Sequence, residues 1–213
     1  MKYKPILFST AMVLAILDGR KSMTRRVIKP QPSAGIRRSV FVNSGVEDGH
    51  GREIKPRYQP SDILWVRETT YLYGKWVKNG LTKTGKQKYK FAWILSKPVI
   101  YAASDKPDYI CTGKDEVGYF KRPSIFMPRE AARIFLRATD ARAQMLCNMT
   151  TIDFLNEGIE LYKSDGRTEK SEIELEYEFE DLWDSLNKKR GYGWDTNPYV
   201  WVYEFERVEG MKC

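Results

Sequence analysis

Histidine and cysteine are scarce in this chain of 213 residues: there is one histidine, His50, and three cysteines, Cys111, Cys147 and Cys213. Three scattered thiols without a C-x-x-C pair cannot form a disulfide framework, and the usual Cys/His zinc ligation is excluded with them. So is any mechanism that needs two histidines. No apolar run approaches the ~18 residues of a membrane-spanning helix, and no internal repeat or heptad is present. The apolar stretch 5–17 behind Lys2 and Lys4 imitates a signal peptide, but Ser9-Thr10 interrupts it, it lacks a small-residue cleavage site, and it runs into Asp18-Gly19-Arg20-Lys21. It reads as a folded strand and helix, and the protein as cytoplasmic, with no membrane partner.

A hydrophobic fraction of 42% is enough to bury a core, and 30% of the residues are charged. The net charge of +8 is unevenly spread. Between Asp153 and Asp184 there are twelve acids and three bases, a net of −9, so the remainder carries +17. A basic body beside one acidic helix suits a polyanionic ligand, a nucleotide or a nucleic acid; it equally describes a soluble basic protein with no such partner.

The chain reads as one domain over 1–213. Residues 3–8 form a short strand, Thr10 caps a helix that Gly19 ends, and 22–28 return to an extended pattern. Residues 30–62, rich in Gly, Pro and Arg/Lys, form a long basic loop insertion that contains His50, exposed and idle. Residues 63–69 are a strand, 71–77 and 89–95 a hairpin around a Gly- and Lys-rich stretch, and 99–103 a further strand. Residues 122–128 are a rigid connector and 133–146 a long strand. Thr150 and Asp153 make a capping box for a short helix that ends at Gly158. The acidic helix, 171–189, carries Leu175, Phe179, Leu182, Trp183 and Leu186 on one stripe. Residues 199–208 alternate as a closing strand. Many strands with few short helices indicate an α+β fold, a small β-barrel with helices at its ends and large loop insertions.

The segment Gly19-Arg20-Lys21-Ser22-Met23-Thr24-Arg25-Arg26 concentrates chemistry. A threonine hydroxyl attacks only when a neighbouring base takes its proton, and a lysine crowded by Arg20, Arg25 and Arg26 has a lowered pKa that suits it as that base. In a regular strand Lys21 and Thr24 would point to opposite faces; they converge if Lys21 lies on the turn after Gly19. The bland alternative is a basic surface turn.

These residues form G-x-K-x-x-T-x-R after a strand and a helix, which resembles the ASCH domain, a PUA-like β-barrel family associated with RNA. That family usually has glutamate where Thr24 stands. Threonine there is similar to the small bacterial ASCH amidohydrolases that cleave N4-acetylcytidine with a lysine, a threonine and a glutamate. The resemblance implies catalytic roles for Lys21 and Thr24 and, in Asn156-Glu157-Gly158, for Glu157, with neither metal nor cofactor. The stretches PILFSTAMVLAILDGRKSMTRR, QPSDILWVRET, RPSIFMPR and LWDSLNKKRGYGWDTNPYVWVYEFERV also resemble phage and prophage ASCH-like proteins, which implies a bacterial or infected-host cytoplasm.

Glu68 is the alternative carboxylate; its bland reading is an ion pair with Arg67 or Arg26. A carboxylate at a helix C-terminus is unfavourable, so Glu157 there points to a nearby cation such as Lys21. Arg20, Arg25, Arg26, Glu68 and Trp194 are the candidate substrate or nucleic-acid contacts, with Trp194 either a base platform or core. Four functions stay open: an amidohydrolase acting on an acylated nucleoside or nucleotide, a non-catalytic binder of RNA or a modified base, a ribonuclease, and a phage structural role.

Overall fold

The computed structural model describes residues 2–38 and 45–211. Twelve strands and three α-helices follow in the order β1 (Tyr3–Leu7), α1 (Thr10–Leu17), β2 (Met23–Val27), β3 (Ile36–Arg38), β4 (Val46–Asp48), β5 (Glu53–Ile54), β6 (Ile63–Arg67), β7 (Thr70–Leu81), β8 (Gln87–Trp93), β9 (Ile100–Tyr101), β10 (Val117–Arg122), β11 (Phe135–Met145), α2 (Thr151–Asn156), α3 (Glu172–Asn187) and β12 (Tyr199–Val208). The class is α+β. The strands form a five-stranded sheet in the order β1-β6-β11-β12-β2, a sheet β10-β7-β8 with β9 also on β7, and a small sheet β3-β4-β5. All three orders are open, and no closed barrel forms among the described residues.

The chain divides into two compact units. The first comprises the described residues of Met1–Lys4, Ala15–Leu64 and Phe135–Gly210, and the second those of Pro5–Leu14, Trp65–Ile134 and Met211–Cys213. In the first unit, β12 is the central organiser. It is buried on both faces from Val200 to Tyr203, pairs with β11 along its length and holds the edge strand β2 on its other side, with Tyr203 opposite Thr24 and Val202 opposite Arg25. One face of this pairing carries Met23, Val200 and Val202, which pack with Phe154 of α2 and with Leu175, Phe179 and Trp183 of α3. The i, i+4, i+8 spacing of those α3 residues is the stripe expected of a helix on a sheet. Phe179 is its hub, with ring centroids 5.7 Å from Phe154 and 6.0 Å from Trp194. Leu186, read as part of the stripe, is instead exposed, because the buried row ends at Trp183.

The capping box read at Thr150 and Asp153 forms as expected, and the structure shows a second one at the start of α3. Thr150 and Ser171 accept from the backbone N–H three residues on, and Asp153 and Glu174 reach back. The cap of α1 is a correction: Ser9, not Thr10, receives the Met12 N–H, at 3.3 Å, and Thr10 is already helical. The basic stretch 30–62 is likewise more than a loop, since β3, β4 and β5 form within it; residues 39–44 lie outside the described residues. His50 is exposed there.

The second unit is built on β7, which pairs with β8, β9 and β10. The hairpin β7-β8 is the one the aromatic segments indicate. Strand β10 has no counterpart in the sequence reading, and the connector after it contains a short 3-10 turn, Ser124–Phe126.

Two glycine turns place the chemistry of the first unit. Gly19 (φ +76°) ends α1, so that the Arg20 and Lys21 N–H groups both donate to the Ala15 carbonyl. Gly158 (φ +98°) ends α2, and a Cβ there would lie 2.9 Å from the Ala15 Cβ and 3.2 Å from the Lys21 Cβ. Both the left-handed backbone and the lack of space require glycine. Gly158→Ala is therefore expected to lower unfolding stability by about 1–3 kcal/mol, measured by urea denaturation. A change within about 0.5 kcal/mol, the range of an inert surface substitution, would show that the turn tolerates a side chain.

Candidate functional site

Lys21 lies on the turn between α1 and β2, held at its backbone by Ala15, and the next residue donates its N–H to the Asn156 carbonyl at 3.0 Å. The turn therefore runs along the C-terminal end of α2. That end leaves carbonyls without helical partners, and two cations occupy it: Lys21 Nζ donates to the Glu157 carbonyl at 2.7 Å and Arg20 Nη1 to the Gly158 carbonyl at 2.9 Å. Arg20 also pairs with Asp18 and Glu160 at a partly exposed position.

The Lys21 ammonium and the Glu157 carboxylate meet at 2.6 Å, with the lysine side chain wholly buried and the glutamate side chain 4% exposed. This is the cation that the unfavourable position of Glu157 indicates. Arg25 Nη1 donates to the other oxygen, Oε1, at 3.2 Å. Its Nη2 stands 3.2 Å from Asp153 but misaligned for a hydrogen bond, and its Nε has no partner. Arg25 is fully enclosed, because it shares the sheet face that α2 and α3 cover. A group so placed holds Glu157 and does not meet a ligand from solvent.

Thr24 and Arg26 take the opposite face of β2. Thr24 is buried, beside Tyr203 across the strand pair. Tyr203 packs edge-on against Tyr58 at 4.9 Å, and its hydroxyl accepts the Arg57 N–H at 3.0 Å. Burial pushes this phenol up to about 12, so it stays neutral. Burial also pushes the Arg26 guanidinium down, against the pull of Tyr58, Glu157 and Tyr203. Glu157 thus acts on Arg25 and Arg26 from the sheet edge, although they point to opposite faces.

Burial lowers the Lys21 pKa, opposed by Glu157 and reinforced by Arg26 and Arg25. The result is a lysine biased toward releasing its proton, hydrogen-bonded to a carboxylate and three residues before a buried threonine. Such a group can take a proton from a hydroxyl and return it to a leaving amine.

The other candidates lie elsewhere. Glu68 belongs to the second unit and is 1% exposed; Arg133 Nε and Nη2 occupy its two oxygens at 2.8 and 2.9 Å. Its partner is thus Arg133, not Arg67 or Arg26, and Arg133 is fixed in turn by Ser104 and by the Tyr101 ring 4.0 Å away. A carboxylate so fully engaged is a structural brace. Trp194 is core: 8% exposed, it packs edge-on to Phe179. Among the residues that the sequence reading passed over, Asp153 stands one turn before Glu157 on α2, a spacing visible in the sequence. Tyr58, by contrast, arrives from the basic stretch with no periodic signal.

No protein-family model matches the chain, and no curated protein or solved structure matches it significantly.

Lys21 supplies a pH signature. Its folded pKa lies below its unfolded one, so between the two the unfolded chain binds more protons and stability rises with pH. The destabilisation from burying the charge is complete below the folded pKa and gone above the ordinary lysine value of about 10.4. Unfolding free energy measured against Lys21→Met, which cannot titrate, should therefore rise with pH in that window, by at most about 1.4 kcal/mol per pH unit. A difference that falls with pH would place the Lys21 pKa above the ordinary value.

Proposed function

We propose that the protein is an amidohydrolase that removes an acyl group from a modified nucleobase or nucleoside of the N4-acetylcytidine type, and that the chain has a PUA-like ASCH fold. The observation that carries the reading is the buried 2.6 Å contact between Lys21 and Glu157, with the lysine pKa lowered and Thr24 three residues on. The G-x-K-x-x-T-x-R resemblance supplies the substrate class. The strand, helix and turn that precede the motif, and the β12 partner that follows it, support the fold assignment.

In this reading the neutral Lys21 amine takes the proton from the Thr24 hydroxyl as Oγ1 attacks the acyl carbonyl carbon. Arg26 or backbone N–H groups stabilise the oxyanion. The lysine then returns the proton to the departing base nitrogen, the C–N bond breaks, and an ester on Thr24 remains. Water, deprotonated by the same lysine, cleaves that ester and regenerates the hydroxyl. Glu157 holds the Lys21 amine in place and stabilises its charged form between the two transfers; Arg25 positions Glu157.

A second reading is favoured by the net +17 outside the acidic segment: the same residues bind RNA or a modified nucleotide without turnover.

Incubation with N4-acetylcytidine followed by chromatography decides between them. Wild-type protein should release cytidine, and Thr24→Ala and Lys21→Ala should each reduce kcat by at least about 10³-fold, with melting curves showing folded variants. Release of cytidine by Thr24→Ala at the wild-type rate would remove the nucleophile. Absence of product from the wild type, together with RNA affinity that falls steeply with salt, would replace hydrolysis with binding.

A further inference from the structure

The second unit holds a set of polar groups that none of the chemistry above uses. Register places Thr70, Leu72, Gly74 and Trp76 of β7 on one sheet face with Phe120 and Arg122 of β10 and with Phe91 and Trp93 of β8. On that face the Arg122 guanidinium lies 5.0 Å from the Trp76 centroid, 4.7 Å from that of Phe91 and 4.9 Å from that of Phe126. Arg67 reaches the same turn, where its Nη2 donates to the Ile125 carbonyl, and it lies over the Trp65 ring at 5.4 Å. Two guanidiniums therefore converge on Ser124–Phe126, whose Ile125 and Phe126 side chains are each 56% exposed.

Neither arginine has a carboxylate partner among the described residues. The one influence on either guanidinium is burial, which pushes both down. Aromatic faces return only about 0.5–2 kcal/mol to a cation, less than desolvation removes. Arg67 Nε, Arg122 Nε, Trp93 Nε1 and Thr70 Oγ1 are all buried without a hydrogen-bond partner. Three of these can only donate, and the fourth is a hydroxyl that can. In a folded protein such groups normally find partners; enclosed, these do not themselves meet a ligand, but they leave both guanidiniums without compensation, and the partner that balances two such cations through their outer donors is an oxyanion. Among the described residues the Arg122 Nη groups and Arg67 Nη1 make no hydrogen bond and are not enclosed, so they keep donors available near the exposed Phe126 ring. Three unsatisfied groups on one sheet face, with Arg67 Nε of β6 as a fourth whose guanidinium meets the same turn, set this cluster apart from scattered surface charge.

We infer that Arg122, seated on the aromatic face of the β10-β7-β8 sheet, and Arg67, which meets it at the turn Ser124–Phe126, form a phosphate-binding site for a nucleotide, free or within a strand. Guanidinium edges match phosphate in a bidentate fork, and the Phe126 ring offers a stacking surface for the attached base. The site is independent of the Lys21 reading and stands if that reading fails.

The test uses the full-length protein, with the arginine Nε–H resonances followed by NMR during titration with inorganic phosphate, cytidine monophosphate and a single-stranded oligonucleotide. The expected result is a saturable shift of the Arg67 and Arg122 signals, and an affinity at least ~10-fold weaker in Arg122→Gln and in Arg67→Gln, with circular dichroism unchanged. If Arg122→Gln does not fold, Arg67→Gln decides alone. Tighter binding of the oligonucleotide than of the monophosphate, with a salt-dependent affinity, identifies a strand as the ligand; equal binding identifies the free nucleotide. No shift with any of the three probes, or affinities unchanged in the folded variants, overturns the proposal.

Discussion

The contact between the Lys21 ammonium and the Glu157 carboxylate is the constraint on which the first unit's arrangement turns. Withdrawing both charges from water is costly, and their mutual attraction compensates only if the remaining donors and acceptors are also met. That requirement explains the company they keep. The Glu157 carbonyl takes a second Lys21 bond, Arg25 takes the remaining carboxylate oxygen, and Asp153 stands beside Arg25. Removing either member of the pair would leave an unbalanced charge under a closed surface. The pair thus ties α2 to the turn before β2, and Gly158 is the residue small enough to let them approach.

The edge position of β2 adds a second consequence. In a central strand the two faces are separated by neighbours, and a carboxylate can serve only one. At the edge, Glu157 binds Arg25 beneath the helices directly, and its charge also favours the ionised form of Arg26 against the larger effect of burial. Charge balance on the buried face and the ionisation of groups on the other are thereby linked through one residue. A lysine whose pKa is lowered by burial but held by a carboxylate is poised between two protonation states, a property that an isolated surface lysine lacks.

Much of this was legible in the residues because local signals agree with the fold. The capping box at Thr150 and Asp153, the glycine after Glu157 and the β-branched and aromatic pattern of 199–208 mark α2 and β12. The misfit of a carboxylate at a helix end pointed to a cation nearby. What could not be read depends on pairing between distant segments. The partner of Glu68 is Arg133, 65 residues away, and no spacing rule selects it over Arg67 next door. Trp194 looks the same in sequence whether it stacks on a base or on Phe179. Strand β10 lacks strong alternation in its residues because one of its buried positions is Gly118, where a Cβ would lie 2.5 Å from the Cys111 Sγ, and the strands within 30–62 are two or three residues long, too short to carry a period.

Basic residues in this chain do two physically different things, and net charge does not separate them. Lys21, Arg25 and Arg133 are buried against carboxylates, where their charge is balanced and their role is to hold geometry or move a proton. Arg67 and Arg122 rest on indole and phenyl rings with donors left over. A ring face attracts a cation but accepts hydrogen bonds poorly, so aromatic packing stabilises such a guanidinium without saturating it. A paired arginine gains little from an incoming anion, because a carboxylate already fills its fork. One held on aromatic rings keeps both its charge and its donors available. The distinction that matters for ligand recognition is therefore what each cation already touches, and it is the ground on which Arg67 and Arg122, and not the paired cations, are proposed to take an anion.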